Sequence, residues 1–227
     1  MSYFVTGTDT GVGKTLVSCA LLHAFAAQGK RVAGFKPVAA GCDDDDRNED
    51  AKCLRAASSI QATYGQINPY CFAHPIAPHL AAKHAGARID FARILASYRE
   101  LAGQTDEVVA EGAGGFCVPL NEKQDSADLA KELDLPVILV VGMRLGCINH
   151  ALLTLRAISE YQLECAGWVA NVLDGDMPAL QENIDALRER IAAPLLGVIP
   201  HMAEPDAEAA AQYLDLGLLG APTSPSA

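Results

Sequence analysis

Apolar residues along the chain fall into short, nearly uninterrupted runs separated by stretches in which they recur at helical spacing. The runs are YFVTG at 3–7, RVAGFKPV at 31–38, EVVAEG at 107–112, PVILVVG at 136–142, GWVANV at 167–172 and PLLGVIP at 194–200. Each is too short for a buried helix and too uniformly apolar for a strand with one wet face, so each reads as a strand covered on both sides. Helical patterns such as Leu16 to Phe25 lie between most of them. The alternation predicts an α/β fold: one doubly wound, mostly parallel sheet with helices on both faces. A single domain over residues 1–220 is expected, with a disordered tail, APTSPSA, at 221–227. The segment from Gly41 to Gly103 is less regular and is expected to hold an inserted helix or two, with the proline-bearing NPYCFAHPIAPH at 68–79 as a rigid extended loop.

In such a sheet ligands gather at the carboxyl ends of the strands, and the unusual residues do collect there. After the first run comes GTDTGVGKT, residues 7–15. It departs from the phosphate-loop fingerprint only in its leading glycine, Gly7, which stands one residue early. Gly11 and Gly13 permit close backbone approach, N–H groups at the helix start face an anion, Lys14 adds a point charge, and the Thr15 hydroxyl suits Mg²⁺. The stretch of Thr10, Gly11, Val12, Gly13, Lys14, Thr15 and Leu16 is therefore the expected nucleotide segment of a P-loop NTPase fold. Lys36 ends the second run before Pro37, Glu111 ends the third, Gly142 the fourth and Asn171 the fifth. Two ammonium groups, Lys14 and Lys36, placed at one rim suit a triphosphate. Glu111, on a strand beside the phosphate-loop strand, stands where Walker-B-type metal ligands sit, and Gly112, Ala113 and Gly114 let a ligand reach its backbone.

Composition narrows the partners. The chain has 227 residues, half of them hydrophobic, with 17 basic and 28 acidic side chains giving a net charge of −11. That balance disfavours nucleic acid and anionic membrane surfaces and points to a small-molecule ligand. The seven cysteines are scattered, odd in number and without a C-x-x-C pair, which reads as reduced thiols in a soluble cytoplasmic protein. No apolar run approaches membrane-spanning length, and no histidine spacing supports a zinc site.

Other motifs keep ordinary readings. Asp50 in RNEDAKCLRAA fits a first-turn helix acid behind an Asn48 cap. DDDD at 43–46 reads as a solvated loop, and His74 and His79 as pocket lining or hydrogen-bonded structure. RLGCINH at 144–150 precedes a clear helical pattern, so Gly146 to Asn149 would open a helix whose free N–H groups suit a carboxylate or phosphate.

Taken together, FVTGTDTGVGKT, GFKPVAAG, RNEDA, NPYCFAHPIAPH, EGAGG, LPVILVVGMRLGCINHALLT, GWVAN and APLLGVIP, in that order, resemble the dethiobiotin synthetase family and cover nearly the whole chain. The resemblance implies an ATP-dependent ligase of biotin synthesis: 7,8-diaminononanoate takes up CO₂ to give a carbamate, ATP converts it to a carbamic-phosphoric anhydride, and the second amine closes a cyclic urea. It assigns Lys14 and Lys36 to catalysis and Thr15, Asp50 and Glu111 to Mg²⁺. Adenine goes to Asn171 with Pro200, His201 and Met202, and the substrate to Lys36, Ala40, Gly41, Gly146, Cys147 and Asn149. A homodimer is implied, with the LGCIN segment of one subunit receiving the carboxylate tail from the other subunit's site. Neutralising either lysine is expected to abolish most turnover with little effect on the fold.

Three positions depart from the family pattern. Gly11 stands where some relatives carry glutamate, Ala40 where serine is often found, and Asp9 where partition-type ATPases carry a signature lysine. Two rival readings share the fold: a partition-type nucleotide switch, and another ATP-dependent ligase such as the amidating cobyrinate enzymes. Asp9, the acidic charge and the absence of a basic amphipathic C-terminal helix oppose the first; lack of room for a glutamine-hydrolysing domain opposes the second.

Overall fold

The computed structural model describes residues 2–43, 45 and 47–220; the tail expected to be disordered and two of the four aspartates of DDDD lie outside them. The chain runs β1 (Tyr3–Gly7), α1 (Lys14–Ala27), β2 (Val32–Phe35), β3 (Val38–Ala40), α2 (Glu49–Ala57), α3 (Tyr64–Ile67), β4 (Tyr70–Phe72), α4 (Pro78–His84) and α5 (Phe91–Ala102). It continues through β5 (Glu107–Glu111), α6 (Ser126–Leu133), β6 (Val137–Met143), α7 (Cys147–Glu160), β7 (Cys165–Val172), α8 (Leu180–Arg188), β8 (Leu195–Ile199) and α9 (Ala207–Ala211). Six strands form one parallel sheet in the order β2-β5-β1-β6-β7-β8.

All six expected strands are present, and their two faces are both buried. Val5 of β1 packs with Val17 and Leu21 of α1 and Ala210 of α9 on one face, while its neighbour Phe4 packs with Ile94 and Leu101 of α5 and Leu129 of α6 on the other. Farther along the sheet, Leu139 and Trp168 meet α7 and α8. Alternation of side chains along a strand, with helices supplied by the crossovers, is what makes these runs continuously apolar.

Four expectations need correction. The run 31–38 is not one strand: Pro37 lacks an N–H, and the chain leaves the sheet there. Lys36 N donates instead to Ile67 O (2.8 Å), and Asn68 Nδ2 donates to Lys36 O (2.7 Å). Residues 38–40 then pair with β4 in a separate two-stranded parallel sheet, so NPYCFAHPIAPH holds a strand and a helix start in place of an extended loop. The segment 41–103 holds four helices, more than the one or two expected, and most start at readable caps: Asn48, a Thr63/Gln66 capping box, Pro78 at the first turn and Asp90. Finally, Cys42 and Cys71 are joined as a disulfide; the other five cysteines are free thiols as expected.

Candidate active site

Register places the chemistry. Val5 of β1 lies opposite Glu111 of β5, Phe35 of β2 opposite Ala110, and Gly7 of β1 opposite Val140 of β6, so the phosphate loop, Lys36 and Glu111 leave the sheet side by side. The loop turns on Gly11 and Gly13, both at positive φ, into α1. A Cβ on Gly13 would lie 2.1 Å from Asn171 Nδ2, so glycine is needed there for space as well as for conformation. Asn171, at the end of β7, donates that amide to Val12 O at 2.9 Å and braces the loop from below.

Beside the helix start, four side chains converge. Lys36 Nζ donates to Glu111 Oε1 (2.6 Å) and to Asp50 Oδ2 (2.8 Å). The Thr15 hydroxyl stands 2.8 Å from Asp50 Oδ1 and 3.0 Å from Glu111 Oε1. Lys36 and Glu111 are buried, and among the described residues Glu111 Oε2 has no hydrogen-bond partner. Burial works against the charge of Lys36, but Glu111 and Asp50 outweigh it and hold its pKa above the ordinary lysine value. For Asp50, too, burial is outweighed, here by Lys36 and the Thr15 hydrogen bond, and the carboxyl is held below its usual range. Lys14 differs: burial first, and the charge of Lys36 second, bring it down to about 8, while its Nζ donates to Asp9 O at 3.1 Å.

These groups open into a cavity of about 920 Å³. Its lining carries Thr10, Gly11, Gly13, Lys14 and Thr15 with Ala113 and Gly114, and an apolar set from Ala39, Ala40, Pro75 to Pro78, Val118 and Pro119, of which Val118 stands against Gly114. Asp50 reaches it from the first turn of α2, behind the Asn48 cap.

A family model described as an AAA domain matches residues 1–209. The ATP-dependent dethiobiotin synthetase BioD of Aromatoleum aromaticum is 54% identical over 218 residues, covering 95% of this chain and 97% of that one. The namesake from Nitrosospira multiformis is 54% identical, covering 96% of both. The chain belongs to the dethiobiotin synthetase family. Solved structures resemble it more distantly: cobyrinic acid a,c-diamide synthase from Mycobacterium smegmatis (TM-score 0.55, 18% identity, 93% of this chain and 91% of that one) and MinD of Aquifex aeolicus (0.54, 17%, 92% and 93%). At that identity they share the fold alone, the P-loop NTPase fold expected from residues 7–15.

In this dethiobiotin synthetase relative, not every residue singled out in the sequence reaches the cavity. Lys14, Thr15, Lys36, Ala40, Asp50 and Glu111 do. Val12 is buried under the loop, and Gly41 sits one residue behind the wall, its Cα side against Pro75. Asn171, Pro200, His201 and Met202 lie at the ends of β7 and β8, outside the cavity walls. Gly146, Cys147 and Asn149 form the start of α7, as expected, but also stand apart from the cavity of their own subunit. Two features escaped the sequence reading. Arg144 pairs with Asp9, tying the turn before α7 to the phosphate loop, and Val118 with Pro119 closes the apolar wall. The position of Arg144 just past the PVILVVG strand was the available signal for the first; nothing local marked the second.

Proposed function

We propose that the protein is an ATP-dependent dethiobiotin synthetase that carboxylates 7,8-diaminononanoate with CO₂ or bicarbonate and closes the cyclic urea, working as a cytoplasmic homodimer. The observation that carries the reading is the cluster of buried Lys36 and Glu111 with half-exposed Asp50 and Thr15 at the foot of the phosphate loop, in a cavity that is also lined by apolar residues suited to an aliphatic chain. Identity above half with curated relatives of that name supports it.

In this reading the ATP phosphates lie on the N–H groups of residues 10–15. Lys14 and Lys36 face the γ-phosphoryl and carbamate oxygens, where charge builds as the phosphoryl passes between them. A carbamate is a poor electrophile because oxide leaves badly; phosphorylation turns that oxygen into phosphate, and the neighbouring amine then closes the ring. The donor set fits Mg²⁺: oxygens only, two of them carboxylates, with Glu111 Oε2 buried and lacking a partner among the described residues. Thr15, Asp50 and Glu111 would hold the ion, which would neutralise phosphate charge. Adenine lies against Asn171 and Pro200 to Met202, beyond the cavity.

A second subunit is part of the reading because the helix start at Gly146 to Asn149 does not line its own cavity, and Leu145 beside it is 97% exposed. An apolar side chain so placed suits a face covered by another copy, whose substrate carboxylate the free N–H groups would receive. The direct test is ADP release from Mg-ATP and bicarbonate with and without the diamine, with the product weighed. Diamine-dependent turnover giving a cyclic urea is expected; ATP hydrolysis indifferent to the diamine would contradict the assignment and favour a nucleotide switch.

A further inference from the structure

We infer that Cys42 and Cys71 are positioning residues for the amine side of the cavity, tightening that wall when joined and loosening it when reduced. The inference rests on the proposed ligase reading for the identity of the substrate.

The disulfide sits behind the wall, not in it. Cys42 follows Ala40 and Gly41 at the end of β3, Cys71 is the middle residue of β4, and their Cα atoms are 6.3 Å apart, a span a disulfide bridges without moving either backbone. Backbone bonds from Gly41 N and Cys42 N to Phe72 O, at 2.9 and 3.2 Å, complete the pairing beside it. The 29-residue separation between the cysteines encloses Asn48, α2 with Asp50, and α3. Asn48 Nδ2 donates to Gly41 O (3.1 Å), and its backbone N donates to the Tyr64 hydroxyl (2.7 Å), which is 3.8 Å from the Cys71 sulfur. Gly41 abuts Pro75, the first residue of the facing wall segment, since a Cβ there would stand 3.1 Å from Pro75 Cβ. One bond thus fixes Ala40 and the turn leading to Pro75, whereas Asp50 is held independently by its bonds to Lys36 and Thr15 and by the tie of α2 to β2 through Ser58, and the phosphate loop on β1 lies outside the enclosed segment.

The two-stranded sheet is only three residues long on each strand, so the disulfide adds a covalent tie to a wall otherwise held by the core packing of Val38, Tyr70 and Phe72 and by a few hydrogen bonds. Both cysteines are partly exposed and open to exchange. In the forward step the two thiols give two electrons and two protons to a small-molecule disulfide such as oxidised glutathione, which leaves as two thiols; a small dithiol reverses it.

The full-length protein would be prepared oxidised and dithiol-reduced, the state of Cys42 and Cys71 established by alkylation and peptide mass, and KM measured separately for 7,8-diaminononanoate and for ATP. Reduction is expected to raise the diamine KM about threefold to tenfold while the ATP KM stays within about twofold, and Cys42→Ser to match the reduced enzyme and ignore reductant. Unchanged diamine KM, equal shifts for both substrates, or two alkylatable thiols in the oxidised sample would overturn the inference. Turnover indifferent to the diamine in both states would instead overturn the ligase reading beneath it.

Discussion

The two sides of the cavity differ in what holds them. The phosphate side stands on β1, β2 and β5, neighbouring parallel strands buried on both faces, and its charges are locked in a largely buried cluster with contacts of 2.6 to 3.0 Å. The amine side stands on a pair of three-residue strands, a disulfide and proline-bearing turns. A site of this kind holds rigid the groups that must meet developing charge and leaves to looser material the recognition of an aliphatic chain, where one methylene matters by only about 1–3 kcal/mol.

The comparison breaks most visibly at the lysines. Lys36→Gln and Lys14→Gln are each expected to lower turnover by about two to three orders of magnitude, measured as diamine-dependent ADP release. Full activity in Lys36→Gln would remove it from the catalytic set. Their stabilities should then part company, which changes the expectation drawn from sequence that neither substitution disturbs the fold. Losing Lys36 leaves the buried Glu111 without its partner and should cost about 3–5 kcal/mol in denaturant unfolding, most of it recovered in Lys36→Gln/Glu111→Gln. Losing Lys14, whose charge is opposed by burial and by Lys36, should cost less than about 0.5 kcal/mol or stabilise. Equal losses would mean that the buried cluster is not what stiffens this side.

The same lysine gives the phosphate side a pH signature. With Lys14 at about 8 in the free protein, a bound polyanion raises its pKa, so binding takes up a proton. Nucleotide affinity should weaken about tenfold between pH 7 and pH 9, with proton uptake visible when titration calorimetry is repeated in buffers of different ionisation enthalpy. For the unliganded fold the sign is opposite: above about 8 the unfolded chain keeps a proton that folded Lys14 has lost, so stability rises with pH until the ordinary lysine range, about 10.4, is passed. A pH-independent affinity would place Lys14 away from the phosphates. The smallest effect belongs to the amine side: Ala40→Ser should lower the diamine KM by about twofold to fivefold with kcat unchanged, the scale of one added neutral hydrogen bond.

How well each side could be read from sequence follows the same division. Lys14, Thr15, Lys36 and Glu111 were legible because each ends a strand or opens a helix, where spacing alone fixes position. Asp50 was ambiguous, since its place in the first turn of α2 explains it equally well as a dipole partner; only the fold brings it within 2.8 Å of Lys36 and of Thr15. The small sheet was missed because a three-residue strand has too little periodicity to register, and the single turn of helix before it too few residues. Cys42 and Cys71 could not be paired from spacing, because the partner positions are neighbours only through that unrecognised sheet. Pro75 to Pro78, Val118 and Pro119 become one wall only when long connections close over the cavity.

The measurement closest to the central claim traces oxygen. Bicarbonate labelled with heavy oxygen would be given with Mg-ATP and 7,8-diaminononanoate in unlabelled water, over a time too short for isotope exchange, and the released phosphate weighed. If a carbamate oxygen attacks the γ-phosphorus between Lys14 and Lys36 and departs on ring closure, each phosphate carries one labelled oxygen. Phosphate without label, released while the diamine is consumed, would show that ATP is split by water and would contradict the account.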